Sequence, residues 1–190
     1  MKKILYIILF VEIIFCQNYP YFDGDNAYEY LKQQCDLGPR FPGAKGHDDF
    51  IVMLGDFFDP IKAEVVKHEI TITNPITKKP VDLTNILTRF SPKRQKRLLI
   101  LAHWDTREVA DKDPILINQD KPILGANDGA SGIAVLMELA QILNNNPLIN
   151  IGVDLLFVDG EDMGLPGSAE SFGLGTKEFA KVYPQPMPYF

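Results

Sequence analysis

Apolar runs with strand or helix spacing alternate along most of the chain. Strand patterns lie at about 63–73, 85–90, 98–102 and 153–158, and helical patterns lie at about 25–37, 45–58, 130–143 and 174–182. The last two strands are almost entirely apolar, which is typical of strands that are covered on both faces. The order of the elements predicts an α/β fold with a mixed, largely parallel central sheet flanked by helices. Asp25 or Asn26 is expected to cap the first helix.

The N-terminal stretch has the layout of an exported protein. Residues 1–16 contain two lysines followed by a mostly apolar run, which is shorter than a membrane span. We expect residues 1–16 to be a secretory signal peptide, and the protein to be secreted or periplasmic without a stable membrane span. A lipid on Cys16 is the less favoured alternative, because Phe15 stands where a small residue is expected. Residues 17–190 would then form one domain.

Charge and cysteine content exclude several kinds of partner and of covalent or metal site. The formal charge is -6 and the sequence pI is near 5.0, which argues against a nucleic-acid surface. The densest basic stretch, at 93–97, directly precedes a strand and is expected to be a solvated turn. Without residues 1–16, Cys35 is the only cysteine, which excludes an intrachain disulfide and a zinc–thiolate site.

Polar residues interrupt the apolar pattern at the ends of three elements. His103 and Asp105 follow the third strand, Asp128 precedes the third helix, and Glu161 and Asp162 follow the last strand. If these two strands are parallel neighbours, their carboxyl ends converge on one edge of the sheet, where ligands bind in such folds. We therefore expect the five side chains to share one site.

One histidine with several carboxylates predicts a catalytic metal. Carboxylates gathered at one edge repel each other unless protons or a cation neutralise them, and a zinc ion with a water-filled position suits these ligands best. Asp105 could orient the second ring nitrogen of His103. Of the neighbouring acids Glu161 and Asp162, one would bind metal while the other moves protons. By contrast, His47 and His68 are expected to be structural.

Three segments resemble the M28 zinc peptidase superfamily, most closely its secreted glutaminyl-peptide cyclotransferase branch. They read LLILAHWDTREVADKD, PILGANDGASGIAVLMELA and VDLLFVDGEDMG, and the similarity runs from about Tyr28 to the end. The resemblance implies a zinc aminopeptidase-like fold, a metal site at Asp128 and Asp162, and Glu161 as the general acid and base. It also implies a cis peptide bond between Asp128 and Gly129. His103 matches a ligand of the two-zinc aminopeptidases, whereas in the one-zinc cyclotransferases it lies near the metal without binding it.

The resemblance also implies residues that this sequence lacks. Members of the family continue through a strand with another acidic residue and a late loop with a histidine ligand. We therefore expect these 190 residues to be the N-terminal part of a longer protein, or a broken gene product, and to be inactive alone.

The predicted function is a zinc-dependent cyclotransferase that acts on the N-termini of peptides or proteins. It would convert N-terminal glutamine to pyroglutamate and release ammonia, with one zinc ion. One alternative is an M28 zinc aminopeptidase with two zinc ions, in which His103 is a ligand. Another is a binding protein that keeps the fold without the chemistry. The oligomeric state is not predicted.

Overall fold

The computed structural model describes residues 19–148, 150–183 and 189. The expected signal peptide, with Cys16, lies outside the described residues. Among the described helices, none is long and apolar enough to cross a membrane.

All eight predicted elements are present in the predicted order. They are α1 (Gly24–Asp36), α2 (Lys45–Phe58), β1 (Glu64–Thr73), β2 (Pro80–Phe90), β3 (Arg97–His103), α3 (Ser131–Asn145), β4 (Gly152–Val158) and α4 (Leu174–Val182). The predicted cap of α1 is wrong by two residues or more, because the Asp23 side chain accepts the bond from the Asn26 N–H. Strand β2 begins at Pro80 rather than at about 85, since its first residues form an exposed hairpin with β1.

The four described strands form a mixed sheet in the order β1-β2-β4-β3. This confirms the predicted mixed α/β fold. Only β3 and β4 pair in parallel, whereas β1–β2 and β2–β4 are antiparallel, so the parallel share is smaller than predicted. The physical reason is the short turn between β1 and β2, which permits only an antiparallel pair, while α3 provides the crossover that a parallel pair requires.

Helices cover both faces of the sheet. The larger core cluster joins residues of α2 and α3 to the central strands and includes Phe50, Leu54, Ile133, Leu155 and Phe157. On the other face, Phe179 of α4 packs with Leu87, Leu156 and Val158. Strand β4 is buried along its whole length because it lies between two strands and two helical layers. This position explains its apolar sequence, which Asp154 alone interrupts.

A buried ion pair joins the start of β3 to β4. Arg97 is only 1% exposed, so the basic stretch at 93–97 is not solvated throughout as predicted. Its guanidinium Nε donates to the fully buried Asp154 carboxylate at 2.8 Å, and its other N–H groups reach the carbonyl oxygens of Phe90, Ser91 and Arg94. The pair fixes the register of the only parallel strands described.

Asp154→Ala tests this pair. The substitution leaves the Arg97 charge buried without its counter-ion, and we expect the free energy of unfolding to fall by about 3 kcal/mol. Urea denaturation measures the loss. The control is Glu64→Ala, because Glu64 is a half-exposed partner of Arg89 and its removal should change the free energy of unfolding by about 0.5 kcal/mol or less. Equal losses in the two variants would contradict the structural role of the buried pair.

Candidate metal centre at the carboxyl edge of the sheet

The ends of β3 and β4 lie side by side, as the site requires. His103, the last residue of β3, pairs with Val158, the last residue of β4. The Trp104 N–H extends this contact by donating to the Val158 carbonyl at 2.9 Å. The residues that follow both strands therefore emerge at one edge of the sheet.

Three of the predicted site residues meet at this edge. His103, Asp128 and Asp162 each offer one ligand atom, and these atoms lie within 4.8 Å of one another. The Nε2 atom of His103 is 2.7 Å from a carboxylate oxygen of Asp128. The His103 side chain is mostly buried whereas Asp128 is largely exposed, so the cluster opens to solvent on the Asp128 side.

The turn that carries Asp128 is built around two glycines. Gly125 adopts a left-handed conformation with φ of 63°, and the peptide bond between Asp128 and Gly129 is cis, as the resemblance implied. A Cβ atom on Gly129 would lie 2.2 Å from the His103 carbonyl oxygen and 2.8 Å from its ring. Only glycine therefore permits Asp128 to approach His103 this closely.

Asp105 contacts the Glu161–Asp162 loop more closely than it contacts the histidine. Its carboxylate is fully buried, and its two oxygens accept the N–H groups of Glu161 and Asp162, each at 3.0 Å. The distance from Asp105 to Nδ1 of His103 is 3.4 Å, which is long for a hydrogen bond. The expected orienting contact is thus weak, and the stronger support goes to the acidic loop.

The backbone of Glu161 is held by two hydrogen bonds, whereas its carboxylate forms none among the described residues. Its N–H is held by Asp105, and its carbonyl accepts the Gly173 N–H at 3.1 Å. Within the described residues, its side chain makes no hydrogen bond or ion pair. A half-buried carboxylate held in this way is available to a ligand.

The electrostatics of the cluster favour a bound cation. Burial, followed by the negative charges of Asp105 and Asp128, raises the pKa of Asp162 to about 7. Burial alone would lower the pKa of His103, but the same two carboxylates raise it to about 9. The cluster therefore holds protons near neutral pH, and a divalent cation would neutralise the same charges. One imidazole and two carboxylates without a thiolate fit zinc with an open position.

Two arginines that the sequence interpretation did not single out tie the surrounding loops together. Arg40 is fully buried, and its guanidinium donates to backbone carbonyls of Gln34, Gly38, Trp104, Leu124 and Gly125. Arg107 forms a two-point pair with Asp111, with both distances 2.8 Å. It also donates to the carbonyl oxygens of Asp162 and Gly164 at 2.9 and 3.0 Å. The only sequence signal for the role of Arg107 was an acidic residue, Asp111, four positions later.

The two histidines expected to be structural lie outside the ligand cluster. His47 is buried, and its Nε2 is 2.9 Å from the carboxylate of Asp159, which directly follows β4. His68 lies on β1 near the Asn85 side chain. Trp104 is fully buried and stacks on Phe50 with the ring centres 4.6 Å apart, so it packs beneath the site.

Comparisons with known proteins show which family and which solved structures this chain resembles. The model of Peptidase family M28 matches residues 85–183, just over half of the chain. The structure of Bacteroides thetaiotaomicron glutaminyl cyclase is 35% identical with a TM-score of 0.85, covering 90% of this chain and 61% of that one. A Zn-dependent exopeptidase from Parabacteroides distasonis is 34% identical with a TM-score of 0.82, covering 88% and 58% respectively. A probable zinc metalloprotease of Pyrenophora tritici-repentis is 36% identical over 92 residues, 47% of this chain and 18% of that protein. The chain thus spans about three fifths of the two solved structures.

Gly129→Ala tests the geometry of the candidate metal centre. Because the added Cβ would meet the His103 backbone, Asp128 and His103 must move apart, and we expect zinc affinity to fall by about tenfold or more. Competition with a zinc-binding dye measures the change. The control is Gly55→Ala in α2, where a Cβ meets nothing within 4 Å. It should leave zinc affinity unchanged and raise the free energy of unfolding by about 0.5–1 kcal/mol. Equal zinc affinity in the two variants, or no zinc binding by the unmodified chain, would contradict the proposed centre.

Proposed function

This chain belongs to peptidase family M28, and on that premise we propose that it carries the reacting carboxylates of a zinc-dependent glutaminyl-peptide cyclotransferase. The substrate would be a peptide or protein with N-terminal glutamine, and the products pyroglutamate and ammonia. The observation that carries the proposal is one group of three ligand atoms beside the unbonded carboxylate of Glu161. Cyclisation uses the α-amine of the substrate as nucleophile, so it requires no metal-bound water and one ion is sufficient.

Asp128 and Asp162 would hold the ion, with His103 beside it. Zinc bound there would polarise the side-chain carbonyl of the glutamine. Asp105 and Arg107 hold the backbone of Asp162 from its N–H and its carbonyl side, so this ligand is positioned before any metal binds. Because the backbone of Asp162 is already fixed, less reorganisation is needed during the reaction.

Glu161 would move the proton. As the α-nitrogen bonds to the side-chain carbonyl carbon, Glu161 accepts a proton from that nitrogen. It then delivers a proton to the side-chain nitrogen as the carbon–nitrogen bond breaks, and ammonia leaves. The backbone bonds from Glu161 to Asp105 and Gly173 would hold its carboxylate within reach of both nitrogens.

A second candidate function is a zinc exopeptidase. The observation that favours it is the position of His103, whose Nε2 lies inside the ligand cluster, 2.7 Å from Asp128. In that function His103 would be a ligand and two zinc ions would be bound. Glu161 would accept a proton from the attacking water. Several solved structures similar to this chain are exopeptidases and others are glutaminyl cyclases. Export through residues 1–16 remains a proposal for either function.

Mass spectrometry of two peptides separates the candidates. The zinc-supplemented 190-residue chain, and any longer gene product that contains it, is incubated with one peptide that begins with glutamine and one that begins with leucine. With a longer product we expect the first peptide to lose ammonia and the second to stay intact. With the 190-residue chain we expect no reaction, as the sequence predicts. Glu161→Gln should lower the rate by roughly 10²–10⁴-fold, because the proton carrier is lost.

The other outcomes are equally specific. Loss of a whole residue from either peptide would favour the exopeptidase, together with a count of two zinc ions per chain. Activity in a longer product but not in the 190-residue chain would show that this chain lacks necessary groups. No reaction in any product would favour the non-catalytic binding protein.

A further inference from the structure

A small apolar cavity adjoins the candidate metal centre. Its volume is about 200 Å³, and its apolar walls come from Phe41, Pro42, Ile76, Val109 and Met163. Asp162 also lines the cavity, so the cavity and the ligand cluster share one residue.

The topology of the sheet places this cavity on the reacting edge. Strand β2 runs antiparallel to β4 and extends past its last residue, so the turn before β2, which contains Ile76, lies beyond the end of β4 on the same edge of the sheet. Val109 lies in the segment after β3, and Met163 lies in the segment after β4. Three separate walls are therefore loops at the carboxyl edge, where ligands of such sheets bind.

We propose that this cavity binds the side chain of the second residue of a peptide substrate. The inference rests on the proposed cyclisation, in which both reacting atoms belong to the first residue. The glutamine side chain must then lie at Glu161 and the ligand cluster. The second residue is the nearest part of the peptide that remains free to enter the cavity.

The size and lining of the cavity indicate an apolar side chain. Its volume is below the roughly 300–1,000 Å³ of pockets that hold drug-sized ligands, so it suits a single side chain. Arg107 is the only cation in the lining, and its guanidinium is already paired with Asp111 and bonded to two carbonyls. A carboxylate that entered would find no unpaired cation among the lining residues, and burying it unpaired is unfavourable. Leucine should therefore bind better than glycine at the second position, and aspartate should bind worst.

Equilibrium binding tests the assignment without requiring turnover. The zinc-supplemented chain carries Glu161→Gln so that no peptide is consumed, and calorimetry compares Gln-Leu-Gly-Gly, Gln-Gly-Gly-Gly and Gln-Asp-Gly-Gly. We expect the leucine peptide to bind about tenfold more tightly than the glycine peptide. Adding Val109→Phe fills the cavity and should reduce this preference to about twofold or less.

The control variant is Val52→Phe, which makes the same change on α2 at a position that is 63% exposed and outside the cavity. It should keep the tenfold preference. The proposal is overturned if the leucine peptide binds no more tightly than the glycine peptide, or if this preference persists in the Val109→Phe variant. It is also overturned if none of the peptides binds. It is also overturned if affinity follows the first residue, as a comparison of Leu-Gly-Gly-Gly with Gly-Gly-Gly-Gly would reveal.

The two proposals can fail separately. A preference for leucine without ammonia loss by a longer, unmodified product would keep the cavity assignment and reject the cyclotransferase. Ammonia loss without any preference at the second position would reject the cavity assignment alone.

Discussion

The buried carboxylate of Asp105 joins the two halves of the candidate site. It follows β3, and its two oxygens accept the N–H groups of Glu161 and Asp162, which follow β4. Hydrogen bonds to a charged acceptor are stronger than those between neutral groups. The same charge is a major reason that the pKa of Asp162 is raised to about 7, after burial. The carboxylate that positions the acidic loop therefore also adds negative charge, which a cation beside the loop would neutralise.

The loops around this carboxylate are tied to one another chiefly through backbone atoms. Arg40 joins the turn after α1 to the segments that flank Trp104 and Gly125. Arg107 joins the segment after β3 to the carbonyls of Asp162 and Gly164. Because a guanidinium group has five N–H donors, each arginine holds several loops in place at once. The functional side chains are thus positioned by the backbone and remain free to bind a ligand.

Helices, strands and the polar residues at their ends could be predicted from local sequence patterns. Features that depend on long-range contacts could not. Helix α4 has the predicted bounds because its apolar spacing is local, and β4 was recognised from its almost entirely apolar run. The residues at the element ends were found because they interrupt such runs. By contrast, the two bonds of Asp105 connect residues that are 56 and 57 positions apart, and Arg40 reaches Leu124 across 84 positions. No local pattern encodes these contacts, nor the antiparallel pairing of β2 with β4.

The choice between cyclisation and peptide hydrolysis depends on which nucleophile reaches Glu161. In hydrolysis Glu161 must activate water, whereas in cyclisation water is a competitor that would convert glutamine to glutamate. The apolar cavity adjoins Asp162, and a side chain that fills it would displace water from this flank of the centre. Within the described residues, His103, Asp128 and Asp162 form one group of ligand atoms. His103 belongs to that group and is the feature that fits hydrolysis better. The apolar lining of the cavity favours the amine as nucleophile, and for this reason we propose cyclisation ahead of hydrolysis.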